Sequence, residues 1–247
     1  MKEINFNDEI LNKYKKQKNL VDDNYIILES EKVIIYAMKL GLTFEEVIAP
    51  IEFIKSYPNL NSKNIYFTEK KLLSSLIGYN SHGGIFGLIK KPTSKLYYND
   101  KILILDGLTS PENVGSICRS AAAFNFNTII YSSKGINPFL KRCIRVSTGH
   151  ILGLNIIKSN NLNEDIIKLK KLNFQIISAH NSPKSVDIIS FKPDEKFALI
   201  IGSEGHGISR ELIECSDKEI KINTTDKVEH LNASNAASIL MFYLFNN

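Results

Sequence analysis

The stretch LDGLTSPENVGSICRSAAAF, residues 105–124, is the clearest indication of the fold, because it joins the end of an apolar run to the start of a helix. The apolar run ends at Asp106, and Pro111 belongs to the turn that follows it. From Asn113 onward, small and apolar residues recur at the spacing of one helix face. Arg119 is the single charged side chain within that pattern. It is therefore the first candidate for chemistry, although a buried ion-pair partner would give the same pattern.

The alternation of strand and helix continues from this stretch to the end of the chain. The run Phe197–Ile201 is continuously apolar, which is typical of a strand covered on both faces. We predict a parallel or mostly parallel sheet with helices on both sides, an α/β fold. The predicted strands are 101–106, 128–131, 154–157, 174–178, 197–201 and 219–222, and the predicted helices are 113–124, 137–147, 162–172, 208–214 and 232–245.

A second, smaller α/β region precedes this one. Strand and helix patterns alternate between Tyr25 and Lys90, with a helix predicted at 69–76. The segment KPTSKLYYND, residues 91–100, contains a proline, charges and turn formers between two apolar strands. We predict a first domain at 1–92, a linker at 93–100 and a second domain at 101–247. One continuous domain with a long loop at this point is the alternative.

Composition excludes several classes of protein. The 247 residues carry a formal charge of +5, which is compatible with a polyanionic partner without establishing one. The three cysteines have no C-x-x-C spacing, which argues against a disulfide framework and a zinc site. The histidines also lack metal-ligand spacing, so we predict no metal. No signal-peptide core and no apolar run of membrane-spanning length is present, so we expect a cytoplasmic protein without a membrane partner.

Arginine is rare in this chain. Only four of the 31 basic residues are arginines, and all four lie after residue 100. A planar guanidinium suits bidentate binding of phosphate, for which lysine is a poorer substitute. Lys141, Arg142 and Arg145 form a cluster that would suit contact with a nucleic-acid backbone, such as that of RNA, with salt-sensitive binding. An ordinary solvated helix face is the alternative for Lys141 and Arg142.

The stretch ALIIGSEGHGIS, residues 198–209, is a buried strand that leads into a glycine-rich loop. Ligands of open α/β sheets bind at the carboxyl ends of strands, and glycines allow close approach to the backbone. The spacing matches neither G-x-G-x-x-G nor the P-loop, and Glu204 would repel a pyrophosphate. The loop therefore favours a ligand that lacks phosphates or is positively charged. A tight glycine turn with an exposed glutamate is the alternative.

The stretch KINTTDKVEHLNASNAA, residues 221–237, connects a strand ending at Ile222 to the last helix, which starts near Ser234. Asn232 stands where a helix cap is expected, and capping alone would explain it.

In the same order, these three stretches resemble the three motifs of the SpoU (TrmH-type) family of RNA ribose methyltransferases, in the SPOUT superfamily. The family's Asn-x-Gly-x-x-x-Arg matches Asn113, Gly115 and Arg119. Its Gly-x-Glu-Gly-x-Gly-Ile matches residues 202–208, and its Ser-Leu-Asn-x-Ser matches residues 230–234 except at the first position. His230 stands where the family usually has serine, and Asn223 where it usually has proline.

The resemblance implies a fold and a reaction. It implies a C-terminal SPOUT-type domain with a deep trefoil knot, and a small N-terminal domain similar to the RNA-binding ribosomal protein L30e. The implied reaction transfers a methyl group from S-adenosylmethionine to a ribose 2′-hydroxyl, in rRNA rather than tRNA, within a homodimer. A non-catalytic RNA-binding protein on the same scaffold is the alternative that His230 raises. A nicotinamide-dependent oxidoreductase is disfavoured because its glycine fingerprint is missing.

The resemblance also assigns roles to individual residues. The implied catalytic residues are Arg119, Asn113, Glu204 and Asn232. Arg119 would activate the hydroxyl by binding the neighbouring phosphate, or would itself act as the base, in its own site or the opposite subunit's. The implied S-adenosylmethionine contacts, largely through backbone groups, are Gly202, Ile222 and Leu231.

Overall fold

The computed structural model describes residues 1–4, 9–10, 14, 24–69, 71, 73, 84–95, 98–225, 227 and 230–247. The chain forms two compact units. The first comprises Met1–Pro92 and Phe139–Leu152, and the second comprises Thr93–Pro138 and Gly153–Asn247. The chain therefore divides after Pro92, and residues 139–152 belong to the first unit.

The first unit contains a mixed sheet. Its strands in the described residues are β1 (Lys2–Glu3), β2 (Tyr25–Glu29), β3 (Phe44–Ala49), β4 (Ser62–Phe67) and β5 (Phe86–Lys90), in the order β1-β4-β3-β5-β2. Strand β5 runs antiparallel to both of its neighbours, and the other pairs are parallel. Helices α1 (Glu31–Lys39) and α2 (Ile51–Ser56) follow β2 and β3. The helix predicted at 69–76 lies mostly outside the described residues.

The second unit contains a parallel sheet, as predicted. Its described strands are β6 (Lys101–Asp106), β7 (Thr128–Ser132), β8 (Asn155–Ser159), β9 (Gln175–Ala179), β10 (Val186–Asp187), β11 (Phe197–Gly202) and β12 (Lys218–Lys221). Their order is β10-β12-β9-β11-β6-β7-β8, and every pair is parallel. All six predicted strands are confirmed within two residues at each end, and the two-residue strand β10 was not predicted.

Helices cover both faces of this sheet. The helices after residue 100 are α3 (Pro111–Ala123), α4 (Lys141–Val146) in the first unit, α5 (Leu162–Lys171), α6 (Arg210–Glu214) and α7 (Ala233–Asn246). Ile104 and Ile200 pack with α5 and α6 in one core cluster. Leu103 and Leu199, which alternate with them, are also fully buried, on the face where α3 and α7 contact each other. Because residues that point to either face of the sheet are buried, these strands can be apolar at every position.

Two helix starts differ from the sequence prediction for local reasons. The helix predicted at 137–147 begins at Lys141, because Pro138 disfavours a helical conformation at the residue before it and cannot donate a hydrogen bond. The helix predicted from Asn113 begins at Pro111, because Ser110 caps it and proline suits the first helical position.

Candidate active site

The three motif stretches meet at one edge of the parallel sheet. Strands β6 and β11 are neighbours in register, so Asp106 lies beside Gly202 at their carboxyl ends. Strand β12 ends at the same edge, because every pair in the sheet is parallel. Carboxyl ends of parallel strands are where ligands bind in open α/β folds. This edge is therefore the place to examine for a site.

Helix α3 fixes Asn113 at its first turn. The Ser110 side chain accepts a hydrogen bond from the Asn113 backbone N–H at 3.3 Å. Because this cap holds the start of the helix, the Asn113 side chain projects from a defined position and is only 8% exposed.

The Asn113 amide joins the other two motifs. Its Nδ2 donates a hydrogen bond to Glu204 Oε1, and its Oδ1 accepts one from Asn232 Nδ2 at 3.1 Å. We call Asn113, Glu204 and Asn232 the polar cluster. Three residues that are up to 119 positions apart in sequence thus form one hydrogen-bonded chain. The structure brings together three of the four side chains that the resemblance implies are catalytic.

Glu204 is held in a closed turn. The backbone N–H of Ser203 donates to the Gly207 carbonyl at 3.0 Å, and the reverse bond is 2.9 Å. Gly207 adopts a positive φ of 66°, which favours glycine. A Cβ atom at Gly202 would lie 2.1 Å from the Gly207 backbone carbon. The glycines are therefore required by the turn that presents Glu204 to solvent.

Asp106 anchors this turn from the neighbouring strand. Its buried carboxylate accepts a hydrogen bond from the Ser209 backbone N–H at 2.8 Å, just before α6 begins. The sequence analysis assigned Asp106 no role. The available signal was a carboxylate at the end of a buried strand, where an apolar residue would be expected.

Asn232 has two tasks. Its Oδ1 accepts hydrogen bonds from the Ser234 N–H at 2.9 Å and the Ser234 hydroxyl at 2.7 Å, so it caps α7 as predicted. Ser238 donates to the Ser234 carbonyl at 2.7 Å and lies 2.8 Å from the Ser120 hydroxyl of α3. These bonds join α3 to α7, and they fix the Asn232 side chain in place.

Arg119 lies away from the polar cluster. It follows Asn113 by six residues, which corresponds to a rotation of roughly 240° around the helix axis. Arg119 is exposed, on the same side of α3 as the exposed Glu112 and Ala123. With the residues that the structure describes, it makes neither a hydrogen bond nor an ion pair. The interpretation of Arg119 as a buried ion-pair partner is therefore wrong.

A cleft of about 170 Å³ opens beside the polar cluster, between the ends of β9 and β12 and the last helix. Of the three predicted cofactor contacts, Ile222 and Leu231 line it, and Gly202 does not. The remaining lining residues are Ala179, His180, Asn181, Ile220, Lys221, Thr224, His230, Ala236 and Leu240. Sequence reasoning missed residues 179–181, although a strand end at this sheet edge was a usable signal.

The cleft suits a ligand that has both an apolar face and a polar edge. Ile220 and Leu240 are buried side chains that form part of its wall. The backbone groups of residues 222–225 and of Leu231 make no hydrogen bond to another described residue. They therefore remain available to a ligand, because backbone N–H and C=O groups require partners when covered.

The predicted basic cluster lies in the first unit. Lys141 forms a half-buried ion pair with Glu29, with Nζ and Oε1 2.6 Å apart. Arg142 and Arg145 are exposed. The described part of the chain contains no group of three His, Cys, Asp or Glu side chains arranged to hold a metal ion. None of the described helices is both long and apolar enough to span a membrane.

Comparison with known proteins supplies the family. The model of the SpoU rRNA Methylase family matches residues 100–242. A Staphylococcus epidermidis protein assigned to the TrmH family of tRNA/rRNA methyltransferases is 31% identical over 173 residues, which cover 70% of this chain and 69% of that protein. A Staphylococcus aureus protein with the same assignment is 35% identical over 144 residues, which cover 58% of each chain.

A solved structure shows the same fold. The crystal structure of an S-adenosylmethionine-bound rRNA methyltransferase from Sinorhizobium meliloti superposes with a TM-score of 0.83 at 20% identity. The match covers 99% of this chain and 97% of that one. The α/β architecture with its parallel sheet is therefore the fold of that rRNA methyltransferase.

Proposed function

The chain belongs to the SpoU rRNA Methylase family of RNA methyltransferases, and we propose that it methylates a ribose 2′-hydroxyl of RNA with S-adenosylmethionine as methyl donor. The observation that carries the proposal is the polar cluster, in which Glu204, Asn113 and Asn232 are hydrogen-bonded beside a cleft at the ligand-binding edge of the sheet. The cluster is complete although His230 replaces the usual serine, which favours an enzyme over a non-catalytic scaffold. We propose rRNA as the substrate, because a separate N-terminal unit supports recognition of a large RNA.

The cleft is compatible with S-adenosylmethionine. Apolar walls and free backbone groups at Ile222 and Leu231 suit an adenine ring, whose edge both donates and accepts hydrogen bonds. When bound, S-adenosylmethionine supplies an electrophilic methyl group on a positively charged sulfur. None of the side chains that line the cleft is a carboxylate. The carboxylate nearest in sequence to the predicted cofactor contact Gly202 is Glu204.

The polar cluster can orient a ribose. Each amide NH₂ carries two donor hydrogens. Asn232 uses one toward Asn113 and its oxygen toward Ser234, which leaves the second N–H for a ribose oxygen. Glu204 is exposed and has accepting capacity beyond its bond from Asn113. These residues would hold the 2′-oxygen in line with the methyl carbon, and alignment of this kind accounts for a large share of many rate enhancements.

Arg119 would provide the positive charge at the reacting ribose. A hydroxyl is a weak nucleophile. As its oxygen attacks the methyl carbon, the bond from that carbon to sulfur would break to release S-adenosylhomocysteine, and the hydroxyl proton would pass to solvent. A guanidinium that binds the adjacent phosphate in two places stabilises the developing negative charge on that oxygen. Because Arg119 faces solvent and points away from the polar cluster of its own chain, we propose that it completes the site of a second subunit.

The apolar surface of the last helix supports a homodimer. Ile239, Phe242 and Phe245 of α7 are 43%, 57% and 43% exposed. Phe124, at the end of α3, packs its ring against both phenylalanines. Exposed apolar patches of this kind typically mark an interaction site. Since α3 also carries Arg119, a second copy that covers this patch would receive Arg119 near its own site.

Three finer features belong to the same proposal. They are a deep trefoil knot in the second unit, an L30e-like RNA-binding role for residues 1–92, and a cytoplasmic location. The motif resemblance implies the first two, and the fold likeness to the Sinorhizobium meliloti enzyme extends over almost the whole chain.

The first test is binding and catalysis with Arg119→Ala. Calorimetry should detect S-adenosylmethionine binding by the wild type. The affinity of the variant should lie within about threefold of the wild-type affinity, because Arg119 does not line the cleft. Methyl transfer to RNA should fall by about 10²–10⁴-fold, the range for removing a group that stabilises charge or moves a proton. The matched control is Arg210→Ala, an exposed arginine paired with Glu214, which should leave activity unchanged. Unchanged methylation in Arg119→Ala, or no cofactor binding by the wild type, would refute the assignment.

The second test asks whether the site is shared. Arg119→Ala and Asn232→Ala should each be inactive alone. If Arg119 serves the partner's site, equal mixtures that exchange subunits should regain about a quarter of wild-type activity, since one site in four then has both residues intact. No recovery in exchanged mixtures would show that Arg119 acts within its own chain. Phe242→Glu should convert the dimer to a monomer in light scattering, with Lys171→Glu as the exposed control.

A further inference from the structure

Residues 139–152 pack onto the first unit through specific contacts. Lys141 pairs with Glu29 of β2 at 2.6 Å. Gly149 has a φ of 83°, and a Cβ atom there would lie 3.4–3.5 Å from Val33 and Tyr36 of α1. The positive φ favours glycine at this position, and these distances place the segment in van der Waals contact with the helix. The segment and α1 together therefore form one surface, which neither element would form alone.

Two aromatic rings lie at the centre of that surface. Tyr36 of α1 and His150 are stacked, with ring centroids 4.4 Å apart and planes at 29°. His150 Nδ1 lies 2.8 Å from the Ser147 carbonyl oxygen, which can only accept, so Nδ1 carries the hydrogen. The Nε2 atom is then the one left for a ligand. Both residues are half-buried, so the pair keeps accessible ring surface.

Exposed cations lie on α1 and on the segment that carries His150. Lys32, Tyr36 and Lys39 fall on one stripe of α1, at the i, i+4, i+7 spacing. Arg142 and Arg145 lie on the short helix α4 that precedes His150, and all four cations are exposed. Lys32, Lys39 and Arg145 form no ion pair with a described residue. Glu29, the carboxylate of β2 at this surface, is neutralised by Lys141.

We propose that this surface, the aromatic platform, binds an unpaired nucleotide of the RNA substrate. The platform is defined as Tyr36 and His150 with Lys32, Lys39, Arg142 and Arg145. A base stacks on the ring pair, and the flanking phosphates contact the cations, which is how proteins bind single-stranded RNA without reading a duplex groove. The inference rests on the proposed function, because it takes the substrate to be RNA. It extends that function by naming where a single-stranded segment is held outside the catalytic cleft.

The test compares a short fluorescein-labelled single-stranded RNA with a duplex of the same length, by anisotropy with the full chain. Tyr36→Ala should weaken binding of the single strand by roughly 5- to 100-fold, the effect of losing one stacked base, and should change duplex binding much less. Tyr36→Phe keeps the ring and should bind normally. Lys32→Gln with Lys39→Gln should lower the slope of log affinity against log salt by about 0.7 for each lysine. Lys55→Gln, an exposed lysine on α2 in the same unit, is the matched control.

The outcomes separate this inference from the proposed function. Thermal unfolding and S-adenosylmethionine binding monitor whether each variant is folded and whether its cleft is intact. If the double variant Lys32→Gln with Lys39→Gln and the variant Tyr36→Ala both bind single-stranded RNA as the wild type does, the platform is refuted, even where methylation proceeds normally. If the wild type binds no cofactor while Tyr36→Ala still loses single-strand affinity, the proposed reaction fails and the platform stands. Equal weakening of single-strand and duplex binding by Tyr36→Ala would also overturn the stacking role.

Discussion

The polar cluster of the second unit and the aromatic platform of the first unit hold their functional groups in opposite ways. Asn113, Glu204 and Asn232 are joined to one another, and buried strands and capped helices fix their positions. The cations of the platform project into solvent from two helices. The difference follows from the task, because reacting atoms must be aligned closely, whereas phosphates are attracted over several ångströms in any of several poses.

The difference also explains why the polar cluster was visible in the sequence and the platform only in part. A fixed geometry demands particular residues at particular spacings, as in the motif that carries Glu204 between glycines. A charged surface demands only cations somewhere on one face. Arg142 and Arg145 attracted attention because arginine is rare in this chain, whereas Lys32 and Lys39 are two among many lysines.

The largest expected effect comes from distorting the turn that holds the polar cluster. Gly202→Ala places a methyl group 2.1 Å from the Gly207 backbone, so the turn must move and Glu204 with it. We expect the free energy of unfolding to fall by about 2 kcal/mol and methyl transfer to fall at least about 100-fold. Gly205→Ala is the control in the same turn, because its Cβ meets nothing within 4 Å and its φ is not positive. Equal behaviour of the two variants would contradict the account of the turn.

A smaller effect should follow from removing the centre of the polar cluster without moving the backbone. Asn113→Ala leaves Asn232 without its partner and Glu204 without its donor. We expect a loss of about 1–3 kcal/mol in unfolding free energy, from denaturant titration, and slower methyl transfer at nearly unchanged cofactor affinity. Asn235→Ala, an exposed asparagine in the first turn of α7, should change neither quantity. Full activity in Asn113→Ala would show that the cluster is structural only.

The smallest effect is expected where residues 139–152 contact strand β2 within the first unit. Lys141→Met removes the ion pair to Glu29, whose side chains are 20% and 17% exposed. A partly buried ion pair that keeps some contact with solvent contributes modestly, so we expect a loss of about 1 kcal/mol, with single-strand RNA affinity lowered and the rate of methyl transfer at saturating RNA unchanged. Lys63→Met breaks the more exposed pair with Glu45 and should cost less stability. A fall in the saturated rate would place Lys141 in the catalytic machinery and end the contrast between the two regions.

The agreement between sequence and structure is best where one periodicity dominates. Six of the seven described strands of the second unit were predicted within two residues, because most of them contain a continuous apolar run, as a strand covered on both faces does. The start of α4 was misplaced, since an apolar pattern outweighed the local effect of Pro138. The contribution of Asp106 was missed because its partner is a backbone N–H 103 residues away, which no local pattern reveals.

Local sequence patterns were sufficient to predict the fold class, the three motif stretches and the residue types of the site, because strand burial, glycine turns and helix caps are local requirements. Which of those residues contact one another depends on the tertiary structure. It joined Asn113 to Glu204 and Asn232 through the parallel register of β6 and β11. It also turned Arg119 to solvent, since six residues of helix rotate a side chain to another face. Finally, it placed residues 139–152 on the first unit, because the closeness of Gly149 to Tyr36 is a property of packing and not of spacing along the chain.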